Sequence, residues 1–298
     1  MNRSRFLFFL LSVALLVPIV SATLLGAVSA SQEKEDSLYK YLAVFSEVLS
    51  LIRRTYVEPT EVETLFAGAL DGTTDALDAL STYVPAAATA TFREALEVGE
   101  SRSGLWIAKE RGFAFVLAAE EGGPGAAAGL HTGDLLASLN EVSTRDMPLW
   151  QIRTLFAGPP GTEIAVEYLR RGLPESTQVT LGPFDRPQPA LVTREGVGIL
   201  TLPRVGDPAV AQVRRLLEEM VEAGSSRLIV DLRGSAGGDP AAAYRIADLF
   251  VAPGRLGELR EAEATVEVFD SEAEPLWRGR LAVLTDRGTQ GASEIVAA

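Results

Sequence analysis

The sequence contains no cysteine and a single histidine, His131, among its 298 residues. Without cysteine there is no disulfide framework, no thiolate metal site and no cysteine nucleophile. One histidine excludes a multi-histidine metal cluster and limits any Ser-His-Asp triad to that residue. Basic side chains are also scarce, since 27 Lys and Arg stand against 40 Asp and Glu, a formal net charge of −13. That charge repels phosphate backbones, so we expect no nucleic-acid partner. We also expect no cofactor and no metal ion.

Charge is missing altogether from residues 6–30, which follow Arg3 and Arg5. A helix needs about 20 residues to cross a bilayer, whereas the apolar part of a signal peptide has about 7–15. Basic residues before the run and acidic residues after it predict a cytoplasmic N-terminus. We therefore expect residues 1–30 to be a membrane anchor, with a cleaved signal peptide as the alternative. The body of the protein would then face the periplasm or exterior of the cell envelope, or be secreted.

The rest of the sequence is able to build sizeable hydrophobic cores, because 47% of all residues are hydrophobic and only 22% are charged. We predict a multi-domain α/β protein. Its parts are a helical segment at 36–98, with helices at 37–55 and about 61–80, a β-rich domain at 99–182, a proline-rich linker at 183–194, and alternating strands and helices at 195–298. In the last part, Asp207 is expected to cap a helix that continues to Ala223.

Two glycine-rich runs mark the β-rich domain, AGLHTGD at 128–134 and GPPGT at 158–162. With the order of strands around them, they resemble the PDZ domain of bacterial proteases, which binds the C-terminus of another polypeptide as an added strand. The resemblance implies a carboxylate loop and pocket walls formed by Gly104, Leu105, Trp106, Ile107, Leu149 and Ile152. Core packing explains Leu149 and Ile152 equally well. Trp106 stands where the family has glycine, so we expect it to alter or partly fill the pocket, and His131 to face solvent.

Two further runs contain the candidate catalytic positions, LIVDLRGSAGG at 228–238 and GTQGASEI at 288–295. They resemble the carboxyl-terminal processing, or tail-specific, serine peptidases, in which a serine attacks and a buried lysine acts as base. The resemblance assigns oxyanion stabilisation to the amides of Gly237 or Gly238 and of Ala292. The alternative for the two glycines is that they only turn the chain after a buried strand.

This sequence departs from the family pattern at the position of the nucleophile. The family serine stands three residues before the glutamate, where this sequence has Gly291. Ser293 lies two helical steps farther on, rotated by about 200° from that position, and Thr289 lies two residues before it. Both are weak substitutes, because a nucleophile must be placed to within about 1 Å.

The base is expected to be missing as well. In the family the lysine follows on a later strand, and the sequence as given stops at Ala298 within a helix, which would leave an exposed sheet edge. Its lysines, Lys34, Lys40 and Lys109, all lie upstream of the peptidase-like part.

Two functions are therefore open. The first is an exported serine endopeptidase that recognises substrate C-termini, and the second is a catalytically inactive PDZ binding or adaptor protein at the membrane. A remnant or fragment of an active peptidase is a further alternative. The expected partners are protein or peptide C-termini and, through residues 6–30, the membrane, and a homo-oligomer is left open. The acidic stretch at 258–274 is interpreted as a solvated insertion, because it lacks calcium-loop spacing.

Overall fold

The computed structural model describes residues 38–261 and 264–298, and the apolar run at 6–30 lies outside them. The chain divides into two compact units, residues 1–69 and 70–298. Helix α1 covers residues 38–55, and within the first unit Phe45 contacts Phe66 with ring centroids 6.4 Å apart. Within the described part of the protein, no helix is both long and apolar enough to span a membrane.

Helix α2 runs over Val62–Asp75 and is shorter than the sequence predicts. It stops because the Asp78 carboxylate accepts hydrogen bonds from the Leu80 and Ser81 amides, each at 2.8 Å. This side-chain turn competes with the helical bonding pattern. Helix α3 follows at Thr89–Val98.

The first sheet has six antiparallel strands. They all lie within residues 99–182, the segment that the sequence predicts to be rich in β-strands. Its order is β1-β2-β3-β5-β6, with β4 paired to β3. The bounds are β1 Leu105–Glu110, β2 Phe113–Ala119, β3 Leu135–Leu139, β4 Val142–Ser143, β5 Glu163–Arg170 and β6 Leu173–Thr180. Helix α4 covers Pro124–Ala127, and α5 covers Leu149–Phe156. Alternate residues of β5 are buried against α5 in one core, which is the period-two pattern of a half-buried strand.

The AGLHTGD run fastens a turn of this sheet to strand β5. The buried Asp134 carboxylate accepts two hydrogen bonds from the Arg170 guanidinium, at 2.9 and 2.7 Å, and one from the His131 amide at 2.7 Å. These bonds raise the pKa of Arg170 above its usual range. The His131 side chain itself is exposed, as expected. The motif is thus explained by its structural role.

The second sheet has four strands in the order β12-β9-β8-β7. Their bounds are β7 Ala190–Arg194, β8 Val197–Thr201, β9 Arg227–Asp231 and β12 Arg280–Leu284. Strands β8, β9 and β12 are parallel, whereas β7 is antiparallel to β8. Helices α6 Asp207–Glu222, α7 Pro240–Ala247 and α8 Ala292–Ala297 complete this part, and α6 and α7 bury their apolar faces in a second core. The mixed α/β class predicted from the sequence is confirmed.

Two local predictions in this part differ from the structure. Residues 190–194, predicted to belong to the linker, form β7, because a tight turn at Glu195 and Gly196, both with positive φ, folds them back onto β8. Asp207 does not cap α6, since Gly206 occupies the cap position and the Asp207 carboxylate pairs with Arg245 of α7. The acidic stretch contains a hairpin of β10 Gly254–Glu261 and β11 Ala264–Ser271.

Candidate functional site

The two glycine-containing turns that follow β9 and β12 lie side by side and are bonded to each other. The Gln290 amide donates to the Ser235 carbonyl at 3.0 Å, and the Gly234 amide donates to the Asp286 carboxylate at 2.9 Å. Parallel strands end at the same edge of a sheet, so residues far apart in the chain meet here. The candidate catalytic residues of the sequence lie on these two turns, and the structure brings them together.

Gly291 is the residue that immediately precedes helix α8. Its φ of 67° and ψ of −124° are accessible to glycine and strained for other residues. A β-carbon built at this position would lie 3.4 Å from the Gly237 α-carbon and 3.5 Å from the Gly237 carbonyl oxygen. A side chain here would therefore face the Gly237 turn, but glycine supplies no hydroxyl group.

The two hydroxyls proposed as substitutes are buried and already engaged. The Thr289 hydroxyl donates to the Leu232 carbonyl at 2.8 Å and accepts from the Asp286 amide at 3.0 Å. The Ser293 hydroxyl lies 2.6 Å from that of Ser235, and both serines have no solvent exposure. These contacts hold the two turns together and leave neither oxygen facing solvent.

The amide of Ala292, assigned to the oxyanion by resemblance, donates to the Gly237 carbonyl at 3.1 Å. Gly237 and Gly238 have φ values of +66° and +98°, which favour glycine for conformational reasons alone. A β-carbon on Gly238 would also lie 2.2 Å from the Val205 carbonyl oxygen. The structural explanation of the two glycines is therefore sufficient by itself.

Of the lysines named in the sequence analysis, Lys109 is buried in the first sheet. Its ammonium donates to the Met147 carbonyl at 2.8 Å, which fixes the entrance to α5. Lys40 belongs to α1 and is exposed, and Lys34 lies outside the described residues. Lys109 thus has a structural role between β1 and α5.

Trp106 connects the first sheet to the Gly237 turn. A β-carbon on Gly237 would lie 1.9 Å from the Trp106 Cη2 atom, so the indole packs directly on the glycine. The indole Nε1 donates to Glu120 at 3.1 Å, and the Arg204 guanidinium lies 5.3 Å from the ring centroid. Trp106 therefore lies between the first sheet and the turns of the second.

Glu120 is the centre of a charged cluster at this junction. Its carboxylate lies 3.1 Å from the Arg186 Nε atom and 3.5 Å from the Arg204 Nη1 atom, and only 6% of its side chain is exposed. Arg204 also lies 3.9 Å from Glu100. Sequence reasoning missed this cluster, because its members come from the residue after β2, the linker and the loop after β8, and no local motif joins them.

A cavity of about 350 Å³ lies between β1, α3 and α5 and extends to the Gly237 turn. Three of the candidate peptide-binding residues, Leu105, Trp106 and Ile107, line it. Gly104 lies beside it with a φ of +67°, and Gly123 and Phe184 pack too closely there for a side chain. Leu149 and Ile152, also expected to line it, do not do so and are fully buried in the core of the first sheet, to which Leu105 and Ile107 contribute as well.

From α5 the cavity is lined by Arg153 and Phe156, which sequence reasoning missed. A signal for both existed, since Arg153 stands one helical turn after Leu149 and one turn before Phe156, on one side of the helix. Burial lowers the pKa of the Arg153 guanidinium, and burial raises the pKa of the Glu100 carboxyl, which lines the same cavity. The cavity therefore combines apolar walls with two partly desolvated charges.

This chain is similar to a known protein family, to the sequences of individual proteins and to a solved structure. Residues 196–298 match the family model described as peptidase family S41. The carboxy-terminal processing protease CtpA of Bacillus subtilis (strain 168) is 23% identical over 312 residues, which cover 100% of this chain and 65% of that protein. The carboxyl-terminal-processing protease of Synechocystis sp. is 27% identical over 193 residues, covering 61% of this chain and 44% of that protein. The chain thus spans less than two thirds of the length of these relatives.

Among solved structures, the photosystem II D1 C-terminal processing protease has a similar fold, with a TM-score of 0.65 at 19% identity. The superposition covers 86% of this chain and 77% of that one. At this identity the likeness concerns the fold alone.

Proposed function

We propose that this protein, a homologue of the C-terminal processing serine proteases, binds the C-termini of other proteins and does not cleave peptide bonds through the Gly291 position. One observation carries the proposal. The position that faces the Gly237 turn is a glycine, while the neighbouring Thr289 and Ser293 hydroxyls are buried in hydrogen bonds of their own. Acyl transfer by a serine-type mechanism needs an activated hydroxyl at the reacting carbonyl.

The binding part of the proposal is supported by the position of β1. This strand is at the edge of the first sheet, and an edge strand can pair with an added peptide strand. The cavity beside it has apolar walls in Leu105, Ile107 and Phe156. The apolar run at 6–30 supports the further proposal that the protein is exported and held at the membrane.

An active serine endopeptidase is the second candidate, and similarity to proteases of known name favours it. It would require a hydroxyl that reaches the Gly237 turn. Within the described part of the protein, the nearest hydroxyls in sequence are those of Thr289 and Ser293, which would first have to break their present hydrogen bonds.

We expect the full-length protein to resist labelling by a fluorescent diaryl phosphonate, a reagent that reacts with activated serine and threonine hydroxyls. The reason is that neither hydroxyl near Gly291 is free to be deprotonated and to attack. Labelling is measured by gel fluorescence and intact mass, with heat-denatured protein as the control for non-specific reaction. A covalent adduct mapped to Thr289 or Ser293, and lost in a Ser293→Ala or Thr289→Val variant, would favour the endopeptidase.

We expect peptide binding to require a free C-terminal carboxylate. A fluorescein-labelled peptide ending in Ala-Ala-Leu should bind about 10-fold more tightly as the free acid than as the C-terminal amide, because one charge-assisted interaction is lost in the amide. Fluorescence anisotropy with the full-length protein measures both affinities. Equal affinities for the acid and the amide would contradict C-terminus recognition.

A further inference from the structure

The open edge of β1 can be assigned residue by residue. The Gly104 carbonyl accepts a hydrogen bond from the Glu120 amide at 2.7 Å, so this carbonyl points towards β2. The Lys109 amide donates to the Ala79 carbonyl at 2.8 Å and therefore points to the opposite side, the open edge of β1. Because backbone groups alternate along a strand, the amides and carbonyls of Leu105 and Ile107 also face the open edge. A bound peptide strand would pair with these two residues.

The loop before β1 is poorly prepared to bind a carboxylate by its amides. The Gly104 amide donates to the Glu100 carbonyl at 2.7 Å, and the Leu105 amide donates to the Ser103 hydroxyl at 3.2 Å. Trp106 belongs to the alternate set of residues, whose backbone faces β2. An incoming carboxylate would therefore have to displace acceptors that the protein already supplies.

Arg153 lines the same cavity and is half-buried. Among residues 38–261 and 264–298, no hydrogen bond or ion pair involves its guanidinium, whereas Arg204 in the same cavity lies within 4 Å of Glu100 and Glu120. Burial lowers the pKa of Arg153, and Glu100 and Asp78 act on it only at longer range. A partly desolvated guanidinium without a contact partner favours an incoming anion.

We propose that the Arg153 guanidinium binds the α-carboxylate of the peptide C-terminus, in place of the loop amides. The last side chain of the peptide then packs against Leu105, Ile107 and Phe156, and its backbone pairs with the edge of β1. Arg153 thereby determines the preference for a free C-terminus. This inference rests on the proposed function and identifies the residue that carries its specificity.

The test compares the acid and amide forms of the Ala-Ala-Leu peptide on variants of the full-length protein. Arg153→Gln should weaken binding of the free acid about 10-fold, to the level of the amide, and leave amide binding unchanged. Arg153→Lys should retain part of the preference, since a lysine keeps the charge but not the planar fork. Arg93→Gln is the matched control, because Arg93 is an exposed arginine on α3, and it should change neither affinity. Circular dichroism melting shows that each variant is folded.

Glu100→Gln provides a second measurement that does not depend on removing Arg153. It removes the carboxylate that competes with the peptide for the cations of the cavity, so the free acid should bind about 2–5-fold more tightly while the amide is unaffected. If Arg153→Gln keeps the preference for the acid, Arg153 is not the receptor and the proposed function stands. If the wild-type protein shows no preference, the proposed function itself fails. A dependence on Arg153 seen only with a peptide amide ending in glutamate would assign Arg153 to a side chain and overturn the inference.

Discussion

Replacing Gly237 with alanine should destabilise the fold by about 2–5 kcal/mol. The left-handed φ of +66° accounts for about 1–2 kcal/mol, and the clash of the new β-carbon with the Trp106 indole, 1.9 Å away, adds about 1–3 kcal/mol. The indole cannot easily move aside, because its Nε1 is bonded to Glu120. Urea-induced unfolding followed by circular dichroism measures the loss.

Gly112→Ala is the matched control for this variant. Gly112 has a similar φ of +79°, and no atom lies within 4 Å of the position that a β-carbon would take there, so only the conformational cost of about 1 kcal/mol should appear. Combining Gly237→Ala with Trp106→Ala should give a coupling energy of about 1–3 kcal/mol that offsets the clash. Equal losses for Gly237→Ala and Gly112→Ala would show that the indole does not pack on the turn.

Replacing Glu120 with glutamine should cost about 2–4 kcal/mol. The change preserves the shape of the side chain but leaves Arg186 and Arg204 beside a neutral group. Breaking a fully buried ion pair costs about 3–5 kcal/mol, and this range is reduced here because 30% of the Arg186 side chain and 34% of the Arg204 side chain remain exposed to water. The free energy of unfolding in urea is again the measurement.

Glu121→Gln is the control for the charge change, because Glu121 is the next residue and is exposed. It should shift the free energy of unfolding by no more than about 0.5 kcal/mol. A double-mutant cycle of Glu120→Gln with Arg204→Gln should give a coupling energy of about 0.5–3 kcal/mol. A loss for Glu120→Gln as small as that for Glu121→Gln would mean that the cluster does not stabilise the junction between the two sheets.

The elements whose pattern is local could be predicted from the sequence. Strands β9 and β12 are recognisable as short apolar runs that precede glycine turns. The Gly291 position follows from a motif of a few consecutive residues. The errors arise where a contact with another element overrides the local pattern, since Asp207 pairs with Arg245 of α7 instead of capping its helix, and residues 190–194 gain strand hydrogen bonds from β8.

Only the tertiary structure decided which residues line the cavity and which distant residues contact each other. Helical spacing marks Leu149 and Ile152 as buried, but burial alone does not tell a core from a cavity wall, and the structure places Arg153 and Phe156 on the cavity instead. The contacts of Trp106 with Gly237 depend on how two sheets approach each other. Local periodicity determines which face of a strand or helix is apolar, whereas contacts between segments distant in the sequence depend on packing that no short stretch of residues specifies.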